Sequence, residues 1–213
     1  MSPPPFSMKG IRMSAPRNDA MRRKIYDAAI ALFRQKGFKG TKYSDIADAS
    51  GVTKSKVQHY FPKKEMLAEQ FIDEHMDELQ KRAGYDVGNH PLETFCAMGL
   101  MHFDFMLHDE EMACFNQDVL ASRDLTDVVI ARERGWAMEH LGSDDNALLE
   151  DIITSSLGGA YELLFQCARS GRDLDARYVE SIAFAPLARK FGKSQDEIDH
   201  MIESCGQKLL QTQ

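Results

Sequence analysis

Six of the seven side chains in KSKVQHY, residues 54–60, can hydrogen-bond; only Val57 cannot. Lys54 and Lys56 offer ammonium groups, Ser55 and Tyr60 hydroxyls, Gln58 an amide and His59 a ring nitrogen. Ammonium groups suit phosphate, while amides and hydroxyls suit base edges. A short helix carrying both, laid in a major groove, would gain affinity from the first kind and discrimination from the second. Val57 and Phe61, four apart, form the side by which such a helix would be held.

The flanking sequence has what is needed to present that helix. Ile46 and Ala47 are the apolar side of an earlier short helical pattern, and Ala47 is small enough for two helices to cross closely. Gly51 can take a positive φ at a sharp turn. Thr53 is a candidate N-cap for the second helix, and Thr41 for the first. Together these are the requirements of a helix-turn-helix. A longer helix is expected before them, from about Asn18 to Lys36, with the stripe Ile25, Ala28, Ala29, Leu32 and Phe33. Gly37 is its expected left-handed terminator, and Phe38 turns back into the core. Arg22, Arg23 and Lys24 could rest on a phosphate backbone. Pro62 ends the second short helix. Lys63 and Lys64 open another, which continues to about Arg82.

From about Arg22 to Leu67 the sequence resembles the DNA-binding domain of the TetR family of transcriptional regulators. The resemblance lies in the Ile25-to-Phe33 stripe, Gly37-Phe38, Gly40-Thr41, Asp45-Ile46-Ala47, Ser50 to Lys54, Tyr60-Phe61-Pro62, Lys64-Glu65 and Leu67. The rest of the chain resembles the family in length and helical layout. The resemblance implies an all-α fold: an N-terminal three-helix helix-turn-helix domain and a C-terminal helical effector-binding and dimerisation domain. The candidate DNA contacts are Thr41, Lys42, Tyr43, Thr53, Lys54, Ser55, Lys56, Gln58, His59, Tyr60, Lys63 and Lys64. In the family the lysine matching Lys64 touches phosphate. Two positions depart from the pattern: Gln58 stands where Tyr is usual, and Lys42 where Ser or Thr is usual. Both bear on operator sequence rather than on fold.

The charge distribution agrees with a head that meets a polyanion. Residues 1–64 hold 14 Lys and Arg against 4 Asp and Glu, a net +10; the remainder is −17, giving −7 overall. The 43% hydrophobic content suffices for a core without disulfides or metal. No apolar run is long enough to span a bilayer, and the Pro-rich start has no signal-like apolar segment. A cytoplasmic protein is expected, with residues 1–17 a disordered basic arm, 18–64 the DNA-binding domain and 65–213 the helical ligand-binding and dimerisation domain. The cysteines at 96, 114, 167 and 205 have no CxxC spacing and fit reduced, mostly buried thiols. A redox sensor is the alternative, without a basic neighbourhood evident around any of them.

After a polar break at Gly84–Asn89, helices are expected at about 91–108, 110–122, 124–141, 146–170, 174–191 and 195–211, with Asp144 and Ser194 as N-caps. The 146–170 segment is the most apolar, yet it contains Gly158-Gly159, whose helical cost of about 1 kcal/mol each calls for close approach of a partner. The resemblance implies a four-helix dimer interface made by this helix and a late one. Ile153, Leu157, Gly158 and Tyr161 are the candidates on the first; Ile198, Met201, Ile202, Cys205 and Leu209 are those on the second, with 174–191 as a substitute. His102, Phe103, Met106, Phe115, Trp136, Tyr161 and Phe165 are candidates for lining an effector cavity, though large side chains of this kind also fill ordinary cores.

The function expected is a ligand-responsive regulator, most simply a repressor. It would be a homodimer on a palindromic double-stranded operator, released by a small apolar or aromatic effector of unknown identity. No cofactor, metal or membrane partner is expected. The other readings are an α-helical enzyme and a non-specific architectural DNA-binding protein. No P-loop, Gly-x-Ser-x-Gly elbow, His-Glu-x-x-His or dinucleotide fingerprint supports the former, and the acidic body argues against the latter.

Overall fold

A computed structural model describes residues 16–142 and 144–210. The helices are α1 (Pro16–Gly40), α2 (Tyr43–Ser50), α3 (Lys54–Tyr60), α4 (Glu65–Ala83), α5 (Pro91–His108), α6 (Ala113–Leu120), α7 (Arg123–His140), α8 (Asn146–Ser170), α9 (Ala176–Lys190) and α10 (Gln195–Leu210). There is no strand among the described residues, and none of their helices is long and apolar enough to cross a membrane. The all-α expectation holds. The expected arm lies outside the described residues except for Pro16 and Arg17, which open α1.

Local chemistry sets several of the ends. The Thr53 hydroxyl accepts the Lys56 N–H at 3.3 Å, so Thr53 caps α3 as expected. Ser194 and Glu197 form a reciprocal box at the start of α10. Asp145 rather than Asp144 caps α8, accepting the Leu148 N–H at 3.0 Å. The Asp109 carboxylate takes the Met112 N–H, so α6 starts only at Ala113 instead of near 110. Thr41 is not a cap. Its hydroxyl donates to the Gly37 carbonyl at 2.7 Å and is fully buried, while the carboxylate of Asp45 accepts the Lys42 N–H at the start of α2.

Ile25, Ala29 and Phe33 of α1, Ile46 and Ala47 of α2, and Val57 and Phe61 around α3 form a closed core, roofed by Leu67 and Ala68 of α4. The Arg22 guanidinium lies over the Phe61 ring at 4.3 Å and donates to the Tyr60 carbonyl and to Gln70. This pins the end of α3 to both longer helices. In the remaining body α5 runs centrally, packing on α4, α6, α9 and α10, while α8 packs on α9 and α7.

The head docks on the body through α1 and α6. Phe33 stacks on Phe115 at 5.6 Å, and Phe115 meets Phe71 of α4 edge-on at 5.1 Å. Beside them Gly37 has φ 73° and ψ 176°, a region open to glycine but distinct from the left-handed turn expected of it. A Cβ there would stand 2.5 Å from Asp118 Oδ2 and 3.0 Å from the Cys114 carbonyl. The Asp118 carboxylate accepts the Lys39 N–H at 2.8 Å across the same contact. Gly37→Ala should therefore lower stability by about 2 kcal/mol or more, from strain and clash together. Denaturant unfolding of the variant checks this. A loss below about 0.5 kcal/mol would mean that α6 gives way at little cost.

Candidate nucleic-acid interface and ligand cleft

The outer face of α3 is an exposed polar row. Lys54, Ser55, Lys56, Gln58 and His59 are exposed and Tyr60 is half-buried, while Val57 is fully buried and fixes the roll of the helix. Thr53 and Lys42 are exposed alongside, as is Lys63, which follows Pro62. Tyr43 is half-buried and donates its hydroxyl to the Phe61 carbonyl at 2.9 Å, which leaves its oxygen lone pairs. Gly51, at φ 63° and ψ 38°, makes the turn between α2 and α3.

Two of the sequence candidates do different work. Thr41 is sealed in the core and cannot reach DNA with its side chain. Lys64 donates to the Phe38 carbonyl at 2.7 Å and the Thr41 carbonyl at 2.9 Å, with its ammonium 4.1 Å from the Phe38 ring centre. Burial pulls its pKa below the ordinary lysine value. Lys64 is a clamp that ties the start of α4 to the turn after α1, with one proton left to donate. Of the arginines expected at the backbone, Arg22 is engaged as described and Arg23 pairs with Glu74 and Asp27.

The residues expected to line an effector cavity are dispersed. Phe103, Met106, Phe115, Trp136 and Tyr161 are buried as packing. Phe165 is half-buried beneath Arg169 and apart from the cleft. His102 and Trp136 border a void of about 10 Å³, which holds at most one water. A cleft of about 910 Å³ among the described residues has room for a ligand, and none of the seven lines it. Its apolar surface comes from Phe71, Leu100, Met101 and Phe105, and its rim includes Arg34 of the head, Arg82, and Arg177 of α9. It therefore lies between head and body. Its walls come from five helices and the turns between them, so no single stretch of sequence marks it.

His75 connects this cleft to the interior. It packs against Phe105 at 4.2 Å and stacks on Phe71 at 6.1 Å. His75 Nε2 lies 3.3 Å from His102 Nδ1, and His102 Nε2 lies 2.7 Å from the Tyr161 hydroxyl. Tyr161 donates to Glu133 at 2.9 Å. That direction makes both histidines donors through Nε2 and leaves His75 an acceptor at Nδ1. Burial keeps both rings neutral: it lowers the His75 pKa to about 4, with Arg82 adding to the effect, and holds that of His102 well below its ordinary value. Burial also raises Glu133 to about 7 and Glu180 well above its ordinary value. The Glu180 carboxyl sits where a Gly99 side chain would be, 2.2 Å from the Cβ position, and its Oε1 has no partner among the described residues.

The dimer candidates also change. Ile198, Ile202 and Cys205 face inward, where α10 packs on α5 and α9, leaving Met201 and Leu209 half-buried. Ile153, Leu157 and Tyr161 are likewise spent inside the chain. The apolar side chains left outward lie on α8 and α9: Leu148 is 45% exposed, Tyr178 is 49% exposed, and Ile152 and Ile182 are half-buried. Among the described residues, nothing beyond the helix's own nearby backbone and the adjoining residues comes within 4 Å of a Cβ built on Gly158 or Gly159.

Residues 25–71 match the family model described as bacterial regulatory proteins, tetR family. The chain is 28% identical over 106 residues to the HTH-type transcriptional repressor KstR2 of Mycolicibacterium smegmatis, covering 48% of this chain and 52% of that one. It is 44% identical over 48 residues to the HTH-type transcriptional regulator RutR of Escherichia coli, 22% of this chain and 23% of that one. The chain thus spans about half the length, or less, of the curated relatives it matches. Over nearly the whole chain the fold is that of solved regulators. A tetR-family transcriptional regulator from Streptomyces coelicolor superposes with a TM-score of 0.54 at 20% identity, covering 92% of this chain and 91% of that one. RolR in complex with resorcinol gives 0.63 at 17%, covering 89% and 96%.

The raised Glu133 pKa has a consequence for stability. A carboxyl that keeps its proton on folding stabilises the fold below about pH 4.5, and that contribution is lost as pH rises through about 7. Glu133→Gln keeps an acceptor for Tyr161 and cannot ionise. Relative to wild type the variant should gain about 2–3 kcal/mol of unfolding free energy between pH 5 and pH 8. A pH-independent difference would show that Glu133 titrates normally.

Proposed function

We propose that this chain, whose residues 25–71 are a TetR-family helix-turn-helix domain, is a ligand-responsive, sequence-specific transcriptional regulator of the repressor type. The observation that carries the reading is the exposed row of α3, held in register by buried Val57 at the end of a head of net charge +10. Lys54, Lys56 and Lys63 supply charge for phosphates, and Ser55, Gln58 and His59 supply groups for base edges. Lys42, Tyr43, Thr53 and Tyr60 flank them. In this reading residues 18–64 bind DNA and 65–213 bind ligand and dimerise, in the cytoplasm, with α4 belonging mechanically to both.

One α3 reads only a few base pairs, so a two-fold dimer on a palindrome is required, with half-sites about 34 Å or a multiple apart. The outer faces of α8 and α9 are the surfaces offered for that dimer. They keep apolar side chains outward, and Gly158-Gly159 leaves room for a helix of the second copy. The 910 Å³ cleft is the proposed effector site. A small apolar or aromatic ligand there would touch Arg34 on the head side and α5 and α9 on the body side, and so would favour one spacing of the heads over another. The enzyme reading gains nothing from the comparisons, whose named matches are regulators.

Selection of binding sites from random duplex DNA by the purified chain, at about physiological salt, tests the proposal. An enriched palindrome is expected. Gln58→Ala should relax preference at one symmetric pair of positions, costing about 1–3 kcal/mol against the preferred base. Lys56→Ala should weaken all duplexes alike and reduce the salt slope by about one. Equal recovery of all sequences from wild-type protein would sink the sequence-specific reading.

A further inference from the structure

The hydrogen-bonded chain behind the cleft ends in a nitrogen with nothing to bond. Tyr161 gives its one hydroxyl proton to Glu133 at 2.9 Å, so its oxygen accepts from His102 Nε2 at 2.7 Å. His102 Nδ1, 3.3 Å from His75 Nε2, is then the acceptor of the histidine pair, and His75 carries its proton on Nε2. His75 Nδ1 keeps a free lone pair. It has no hydrogen-bond partner among the described residues, yet it is not one of their sealed, unpartnered atoms, and His75 lines the cleft. A ligand that enters can therefore reach an acceptor fixed in place from behind. Such a site discriminates strongly for a ligand that brings the matching donor.

Other polar groups of the cleft already have partners. Asp109 accepts the Met112 N–H, Asp173 the Leu174 N–H and Asp175 the Arg177 N–H, while the Arg177 side chain donates to Glu203 at 2.9 Å. Arg82, exposed on the rim, has no hydrogen bond or ion pair among the described residues. Its positive charge is felt at His75, where it opposes a further proton more than Asp109 favours one.

These surroundings choose among donors. An ammonium group at Nδ1 would meet the like charge of Arg82. A carboxylate has no proton to offer at neutral pH. A hydroxyl has the proton and no charge, and on an aromatic ring it is a stronger donor than on an alkyl chain. The negative charge that builds on its oxygen is favoured by Arg82. The walls suit a flat ring as well. The Phe105 ring lies 4.2 Å and the Phe71 ring 6.1 Å from that of His75, both half-buried beside Leu100 and Met101.

We propose that the cleft takes a phenol: a neutral aromatic hydroxyl donates to His75 Nδ1, with its ring against Phe71 and Phe105. The proposal rests on the cleft being the effector site, and adds to that reading the group that anchors the effector.

The test is calorimetric titration of the full chain, without DNA, with three probes that share one ring system. They are 2-naphthol, 2-methoxynaphthalene, which can accept but not donate, and 2-naphthoate, which is an anion. The expected result is 2-naphthol binding at least about tenfold more tightly than either of the others. His75→Phe keeps an aromatic ring and removes the acceptor, and should bring 2-naphthol down to the level of 2-methoxynaphthalene. Arg82→Gln, at an exposed position, should weaken 2-naphthol several-fold and leave 2-methoxynaphthalene unchanged. The comparison of probes on wild-type protein stands even if the His75 variant does not fold. Equal binding of 2-naphthol and 2-methoxynaphthalene would overturn the proposal and leave the cleft an apolar effector site. Tightest binding of 2-naphthoate would overturn it in favour of the arginine rim as the anchor. A preference for 2-naphthol that survives in folded His75→Phe would place the phenol elsewhere and overturn it too. Binding of none of the three would remove the cleft as an aromatic effector site, and this proposal with it.

Discussion

Phe115 sits between Phe33 of the head and Phe71 of the helix that joins head to body, and the placement of α3 depends on that contact. The head core alone sets how α3 lies on α1 and α2. It does not set where α3 points relative to the remaining helices. That is decided where α1 meets α6, by the Phe33–Phe115 stack, by the absence of a side chain at Gly37 and by the Asp118 carboxylate on the Lys39 N–H. Packed aromatic contacts of this kind shift between discrete arrangements more readily than they deform. A change around Phe71 would be passed through Phe115 to Phe33 and so to the proposed reading helix.

The cleft borders this junction. Phe71 and His75 line it from α4 and Arg34 from α1, so an occupant would press on the side chains that hold the head in place. Behind His75 the His102–Tyr161–Glu133 chain carries hydrogen bonding from α4 through α5 to α8 and α7 without a formal charge, since burial keeps the histidines neutral and Glu133 protonated up to about pH 7. The buried polar groups of this region thus stay satisfied as neutral partners, with Glu180 Oε1 the exception among its carboxyls.

The sequence displayed whatever depends on local spacing. Val57 and Phe61, Gly51 and Thr53 lie within eleven residues of one another, and their roles follow from helix periodicity, a positive φ and a cap. Periodicity marks which face of a helix is apolar, not what covers it. Ile198, Ile202 and Cys205 form a good stripe that the chain itself covers, and periodicity alone does not separate such a stripe from a dimer face. Many Met and Phe residues of the middle helices became packing, while Met101, Phe105 and Met112 line the cleft. Lys64 reads as a phosphate contact until the Phe38 and Thr41 carbonyls are seen beneath it, and no spacing rule brings those groups together.

The most direct measurement is hydrogen exchange on the full chain, free and bound to a duplex fragment recovered by selection. Slowed exchange is expected in the amides of residues 53–64, together with a smaller change in α6 as the docked head is held in one position. Protection confined to another surface, with α3 exchanging as fast as in the free protein, would contradict the assignment of α3 as the reading helix.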